Sequence, residues 1–175
     1  MKNTKSKGII LIIDLIFFAI LLAADQVTKI LALRLQDSDD LILINGVFQL
    51  HYLENRGAAF SMLQDATWVF VVATVVMAAV IGYVLFKVPA GKRYIMWHIC
   101  LTMIGAGGIG NLIDRLRLSY VIDFLYFSLI DFPVFNFADI CVTVGVALLF
   151  ICVIFVWKED DMEFLQIRKK ETEKD

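Results

Sequence analysis

Charge is scarce in this chain. Asp, Glu, Lys and Arg make up 19% of its 175 residues, against 60% that are hydrophobic. Soluble domains hold about 45–50% apolar residues even with glycine counted, so the composition argues against a water-soluble globular domain and against disorder. Cysteine is equally sparse. Cys100, Cys141 and Cys152 form no CxxC spacing and are odd in number, so neither a disulfide framework nor a thiolate metal site is expected. A basic face is missing as well: the net charge is −2, and Lys and Arg lie in small clusters between apolar stretches, which excludes a nucleic-acid partner. His51 and His98 are the two histidines, and neither stands in an HExxH. A zinc site is therefore not indicated, and a serine hydrolase would lack a suitably placed base. No cofactor is expected, and no internal repeat is visible.

Long apolar runs are what the chain does have. Four of them, about residues 8–24, 66–86, 94–113 and 135–157, approach the length that crosses a hydrocarbon core of about 30 Å. They lack the two-residue alternation of membrane barrel strands, so helices are expected. The expected fold is an all-α membrane protein, one integral domain over residues 1–175, with residues 158–175 as a charged, solvated cytoplasmic tail. Lys2, Lys5, Lys7, Lys87, Lys92, Arg93, Lys158, Arg168, Lys169, Lys170 and Lys174 would lie on one side, which the positive-inside rule assigns to the cytoplasm, with both termini. Trp68, Trp97 and Trp157 fall near block ends, as an interfacial aromatic belt would require. The first block has features of a cleavable signal peptide, but its length and the polar motif directly after it favour retention.

Between the first two blocks, Asn45-Gly46 separates Leu41–Ile44 from Val47–Leu53. That pair suits a hairpin turn, so a small extracytoplasmic β-hairpin is expected, with Phe48, Leu50 and Tyr52 on one face. Leu116 to Val134 is interrupted by Arg117, Asp123, Asp131 and Pro133 and is expected to form a surface or re-entrant segment.

Ionisable groups at membrane depth are costly, so each is a functional candidate. With the first and third helices running outward and the fourth inward, Asp25, Asn111, Asp114, Arg115, Asn136 and Asp139 all reach one outer layer. Asn111, Asp114 and Arg115 share a helical face, as do Asn136 and Asp139. Each residue also has a local explanation: an Asp114–Arg115 ion pair, an Asp25–Lys29 pair one turn apart, or Asn136 as a helix cap. Gly105, Ala106, Gly107, Gly108 and Gly110 would serve either tight helix packing or close approach of a substrate, and Gly57-Ala58-Ala59 forms a second low-relief stretch. Two adjacent carboxyl groups do not readily both ionise, so one keeps a proton while the other accepts one from water. Such a pair can hydrolyse an amide without a metal. Asp25, Asp114, Asp123 and Asp139 are eligible, and spacing does not select two of them.

Five motifs, in order, resemble those of the bacterial lipoprotein signal peptidases, or signal peptidase II. They are Asp25-Gln26-Val27-Thr28-Lys29, Glu54-Asn55-Arg56-Gly57-Ala58-Ala59-Phe60, Gly110-Asn111-Leu112-Ile113-Asp114-Arg115, Val121-Ile122-Asp123-Phe124 and Phe135-Asn136-Phe137-Ala138-Asp139. The resemblance covers almost the whole chain. It implies Asp123 and Asp139 as the catalytic pair, with Asn55, Gly57, Asn111, Arg115 and Asn136 binding substrate and Asp25 and Asp114 in support. Ala106-Gly107-Gly108 departs from the family's usual Gly-Gly-Ala, keeping small size. The activity implied is an aspartic peptidase of the bacterial cytoplasmic (inner) membrane, with its site near the outer face. It would remove the signal peptide from diacylglyceryl-modified prolipoproteins just before the lipidated cysteine, in contact with membrane lipids, and be blocked by globomycin-type inhibitors.

Two rivals are weighed against this: a proton- or ion-coupled transporter using the same acids as a relay, and a non-catalytic scaffold. The carboxylates share one layer instead of being staggered across the membrane, and no repeat is visible, which opposes a transporter. Asp14, on the far side from the patch, is expected to reach headgroup water at the inner interface. Phe60 and the hairpin are candidates for a lid.

Overall fold

The computed structural model describes residues 2–57 and 67–165. Four helices are long and apolar enough to cross a membrane. They are α1 (Lys2–Ala32), α2 (Thr67–Lys87), α3 (Ile95–Leu118) and α4 (Phe137–Ile151), the last continued by a π-helical turn over Cys152–Val156. Burial separates them. In α3, 56% of the apolar span is buried, against 11%, 6% and 17% in α1, α2 and α4. The third helix is therefore the centre of the bundle, and each of the other three packs on it. The outer three present apolar side chains such as Ile16, Val76 and Phe150 outward, where hydrocarbon would replace water as solvent.

Glycine makes the close packing around α3 possible. A methyl group on Gly107 would overlap the carbonyl oxygen of Ala138, and one on Gly110 would overlap Asp25 Oδ2. On α4, a methyl group at Gly145 would come within 3.1 Å of the Cys100 carbonyl oxygen. Of the two roles open to the third-helix glycines, close helix contact is the one taken at Gly107 and Gly110.

The polar motifs lie inside the helices instead of following them. Helix α1 runs beyond the apolar block to include Asp25 and Lys29, and α3 runs through Asn111, Asp114 and Arg115 to Leu118. The sheet is also larger than the expected hairpin. Strand β1 (Leu41–Ile44) pairs antiparallel with β2 (Phe48–Asn55), and β2 pairs antiparallel with β3 (Val121–Tyr126). The segment expected to be a surface or re-entrant stretch thus supplies the third strand. Ile122 and Phe124 bury against Ala32, Leu50 and Tyr52, and it is this contact with the end of α1 that draws the strand in. Between Leu50 and Leu53 the pairing slips by one residue, a bulge that re-aims the side chains beyond it.

The end of the bundle away from the sheet also differs from expectation. Trp97 and Trp157 do not form a belt: both are buried and stack on each other with centroids 4.1 Å apart. Trp68 alone of the three is exposed. The chain after α4 does not remain solvated throughout. Glu159–Leu165 coils into 3-10 turns that lay Phe164 edge-on against Trp97 and Tyr94, and Asp161 is buried in an ion pair with Arg93. Lys7 donates to the Val88 carbonyl at the same end. Asp14 departs from expectation as well, because it is buried, with Oδ2 2.7 Å from His98 Nδ1. A neighbouring imidazole, not headgroup water, satisfies it.

Candidate active site

The site forms where α1, α3 and α4 meet β2 and β3. Leu53 lies opposite Asp123 in the sheet, so Asn55, two residues further along β2 on the same face, is its diagonal neighbour. Asn55 Nδ2 donates to Asp123 Oδ2 at 2.8 Å. After β3 the chain doubles back, and Phe135 bonds to the backbone of Leu125 in both directions. This return brings Asn136 to Asp123, and Asn136 Nδ2 donates to Asp123 Oδ1 at 2.7 Å.

Asn136 also begins α4. Its Oδ1 accepts the Asp139 backbone N–H at 3.0 Å, and Asp139 Oδ2 accepts the Asn136 N–H at 3.0 Å. This is a reciprocal capping box. The capping role expected for Asn136 and its place beside Asp123 are held by one side chain. Asp139 Oδ1 accepts from Asn111 Nδ2 at 2.8 Å, and Asp139 stands in the first turn of α4. Each carboxylate thus receives one N–H on each oxygen, and Asn136 serves both.

Their surroundings differ. Asp123 is buried at 1% exposure, whereas Asp139 is half-buried and opens onto a groove of about 400 Å³ between Phe132–Phe135 and Ile140, Thr143 and Val144 of α4. Burial pushes the Asp123 carboxyl up to about 7, and the charge of Asp139 adds to the rise, opposed by the hydrogen bonds from Asn55 and Asn136. A carboxyl group that holds its proton near neutral pH beside a second, more accessible one is suited to general acid–base chemistry.

A second tier supports these contacts. Lys29 reaches Asp25 at 3.0 Å, Asp114 at 2.9 Å and Asn111 Oδ1 at 2.8 Å. Asp25 accepts the Ala138 backbone N–H, Asp114 accepts that of Ile122, and Gln26 bridges the two carboxylates. These contacts tie α1 and α3 to the start of α4 and to β3. The Asp25–Lys29 pair is present as expected, but Asp114 pairs with Lys29 and not with Arg115. The guanidinium of Arg115 instead bonds the Asn111 carbonyl and lies 5.1 Å from the Phe70 ring centroid. Gly57 adopts φ +88°, which favours glycine, and its N–H donates to Asn55 Oδ1 at 2.9 Å. Ala58, Ala59 and Phe60, including the lid expected at Phe60, lie outside the described residues.

The nine residues assigned to the site from the sequence therefore all lie in this region, seven of them bonded directly to another of the nine and Asp25 and Asp114 joined to them through Lys29. Lys29 is the residue whose importance the sequence understated. Its signal was an ammonium group placed among apolar residues one turn after Asp25, which reads as a local pair until α3 is packed against it. Among the described residues, no group of three or more His, Cys, Asp or Glu side chains is arranged to hold a metal ion.

Residues 17–155 match the family described as Signal peptidase (SPase) II. The chain belongs to this family. A lipoprotein signal peptidase of Streptococcus pyogenes serotype M1 is 45% identical over 144 residues, covering 81% of this chain and 91% of that protein. The lipoprotein signal peptidase of serotype M5, strain Manfredo, has the same identity and coverage. Among solved structures, a bacterial membrane enzyme determined by the in meso method at 1.9 Å aligns with a TM-score of 0.70 and 25% identity, over 82% of this chain and 94% of its own. Signal peptidase II is a protease family, and the four apolar helices fit a multi-pass bacterial membrane protein.

Proposed function

We propose that this signal peptidase II removes the signal peptide from diacylglyceryl-modified prolipoproteins, cutting just before the lipidated cysteine, with Asp123 and Asp139 activating the attacking water. The observation that carries the aspartic mechanism is that Asn136 binds both carboxylates, through Nδ2 on Asp123 and its backbone N–H on Asp139. One carboxyl group donates its proton to the scissile carbonyl oxygen while the other takes a proton from water. Because coupled carboxyl groups titrate as a pair, the shared proton is assigned to the pair. The open side of Asp139, on its apolar groove, gives the peptide bond and its acyl chains a way in from lipid.

The site lies at the outer face of the bacterial cytoplasmic membrane in this reading, with both termini in the cytoplasm. The basic residues near Lys7, Lys87, Lys92 and Arg93 gather at the opposite end, which supports that orientation. The transporter reading receives no support from the relatives, and the carboxylates of the site form one cluster, not a staggered path.

The test is cleavage by purified chain in detergent, where vectorial transport has no meaning. A diacylglyceryl-modified precursor should be cut, its unmodified counterpart left intact, and globomycin should block the reaction. Asp123→Asn and Asp139→Asn should each abolish cleavage while the protein still accumulates in membranes. Undiminished turnover by either variant removes that residue from the pair.

A further inference from the structure

Each of the three asparagines in the site has its carbonyl oxygen held by a group that can only donate. Asn55 Oδ1 accepts the Gly57 N–H, Asn136 Oδ1 accepts the Asp139 N–H, and Asn111 Oδ1 accepts the Lys29 ammonium. An amide is nearly symmetrical in shape, so packing alone does not decide which end faces which way. An obligate donor does decide it. With the oxygen committed, the NH2 group must face the other direction, and in all three cases that direction is an aspartate of the pair. Backbone groups orient two of these amides, and only the third is oriented by a charged side chain.

We propose that Lys29 is a positioning residue that pins the Asn111 amide with Nδ2 towards Asp139, completing a set of donors that all point at the two carboxylates. The proposal rests on Asp123 and Asp139 being the water-activating pair. Lys29 is suited to the task because its three N–H bonds are fully used, by Asp25, Asp114 and Asn111, and it is 2% exposed. It has no rotameric freedom to spare, and its two carboxylate partners fix the ammonium where Asn111 needs it. Asn136 Nδ2 also lies 3.1 Å from Asn111 Oδ1. Two donors on that oxygen polarise the amide and strengthen its N–H donation to Asp139.

Removal of the ammonium leaves Asn111 Oδ1 with only the longer bond from Asn136 Nδ2, so the amide is held less firmly and its N–H donation to Asp139 weakens. The charge of Lys29 also restrains the upward shift of Asp123. Loss of that charge moves the titration of Asp123 to higher pH. The other ionisable groups facing this network are Asp25 on α1, Asp114 and Arg115 on α3, and the Glu54–Arg56 pair flanking Asn55. None of them is close to Asn111 Oδ1 as a donor in place of Lys29, since Arg115 bonds only the backbone carbonyl of Asn111.

The test uses the full-length enzyme in detergent with a synthetic diacylglyceryl-modified peptide. Lys29→Met keeps the length of the side chain and removes its donors. Two uncompensated carboxylates could unfold that variant, so the substitution is also made in an Asp114→Asn background, where the local charge returns to its original value. The expected result, in each background relative to its own parent, is a kcat lower by roughly 10-fold to 100-fold with KM within about twofold. The pH–rate profile of Lys29→Met should also lie about one unit higher than that of the parent. Full kcat for Lys29→Met in the Asp114→Asn background would overturn the proposal and leave Lys29 as a counter-ion only. An unmoved pH profile in a folded Lys29→Met enzyme would overturn it equally. Asp123→Asn and Asp139→Asn are run alongside. If either stays active the aspartate reading fails, whereas two inactive aspartate variants beside a normal Lys29→Met enzyme defeat only the positioning role.

Discussion

Gly110 and Asp25 occupy adjoining space with no room for a methyl group between them: a side chain on Gly110 would overlap Asp25 Oδ2 and come 3.0 Å from its Cγ. Gly110→Ala should therefore push Asp25 off Lys29 and off the Ala138 N–H. Overpacking of this kind costs about 1–3 kcal/mol, and because Asp25 anchors the start of α4, cleavage should fall more than stability does. Gly108→Ala is the control. Its nearest neighbour would be the Thr74 methyl at 3.6 Å, an ordinary contact, and melting temperature and turnover should both stay close to those of the parent. Equal behaviour of the two variants would refute the argument.

The raised titration of Asp123 predicts the direction of pH dependence. Its carboxyl would ionise near 3.8 in an unfolded chain and ionises at about 7 here. Between those values the folded protein holds a proton that the unfolded chain has lost. That contribution to stability is fully present below the lower value and is lost as pH rises through about 7. Cleavage should decline over the same upper range, as the pair loses its shared proton. Thermal unfolding measured from pH 4 to 8 should show the downward slope in the parent and a flatter one in Asp123→Asn.

At the other end of the bundle, Asp14 and His98 make a buried pair. Asp14→Ala leaves His98 Nδ1 without its partner, at a cost of about 1–3 kcal/mol, while the site described above is left untouched. The melting temperature should drop and kcat of the remaining folded enzyme should hold. Asp14→Leu combined with His98→Leu should recover most of the lost stability, because exchange of both partners for apolar groups removes the unpaired atom. A lowered kcat in folded Asp14→Ala would show that the pair reaches the site.

The turn after α4 should act as a clasp. Phe164→Ala removes its edge-on contacts with Trp97 and Tyr94, which are worth about 0.5–1.5 kcal/mol beyond burial. Asp161→Ala leaves Arg93 unpaired and the Lys158 N–H uncapped. Each should lower the melting temperature with cleavage by the folded enzyme unchanged. Tryptophan fluorescence should change in Phe164→Ala, since Trp97 is one of the residues it covers.

Four helices and a polar cluster at one end of the bundle were legible in the sequence because lipid exposure leaves an unambiguous trace: residues 66–86 contain no charge at all, and no soluble fold requires that. The acids were legible for the complementary reason, that their cost at such depth demands a purpose. Strand β3 was not, since Val121–Tyr126 carries Asp123 in its middle, and only pairing with β2 and burial against Ala32 make a strand of it. The tryptophans misled because proximity to a helix end fits a lipid-facing belt and a stacked pair equally well; Phe164, distant in sequence, decides between them. For Asp14, the sequence could not show that His98 would lie within hydrogen-bonding reach, as 84 residues separate them.

Asn136 starts helix α4 through its Oδ1 and backbone N–H, both on Asp139, while its Nδ2 grips Asp123. Formation of the α4 cap and the approach of Asp123 to Asp139 are thus tied to one residue. Since Asp139 stands on α4, a chain that has placed only its first three helices lacks one of the two proposed catalytic acids.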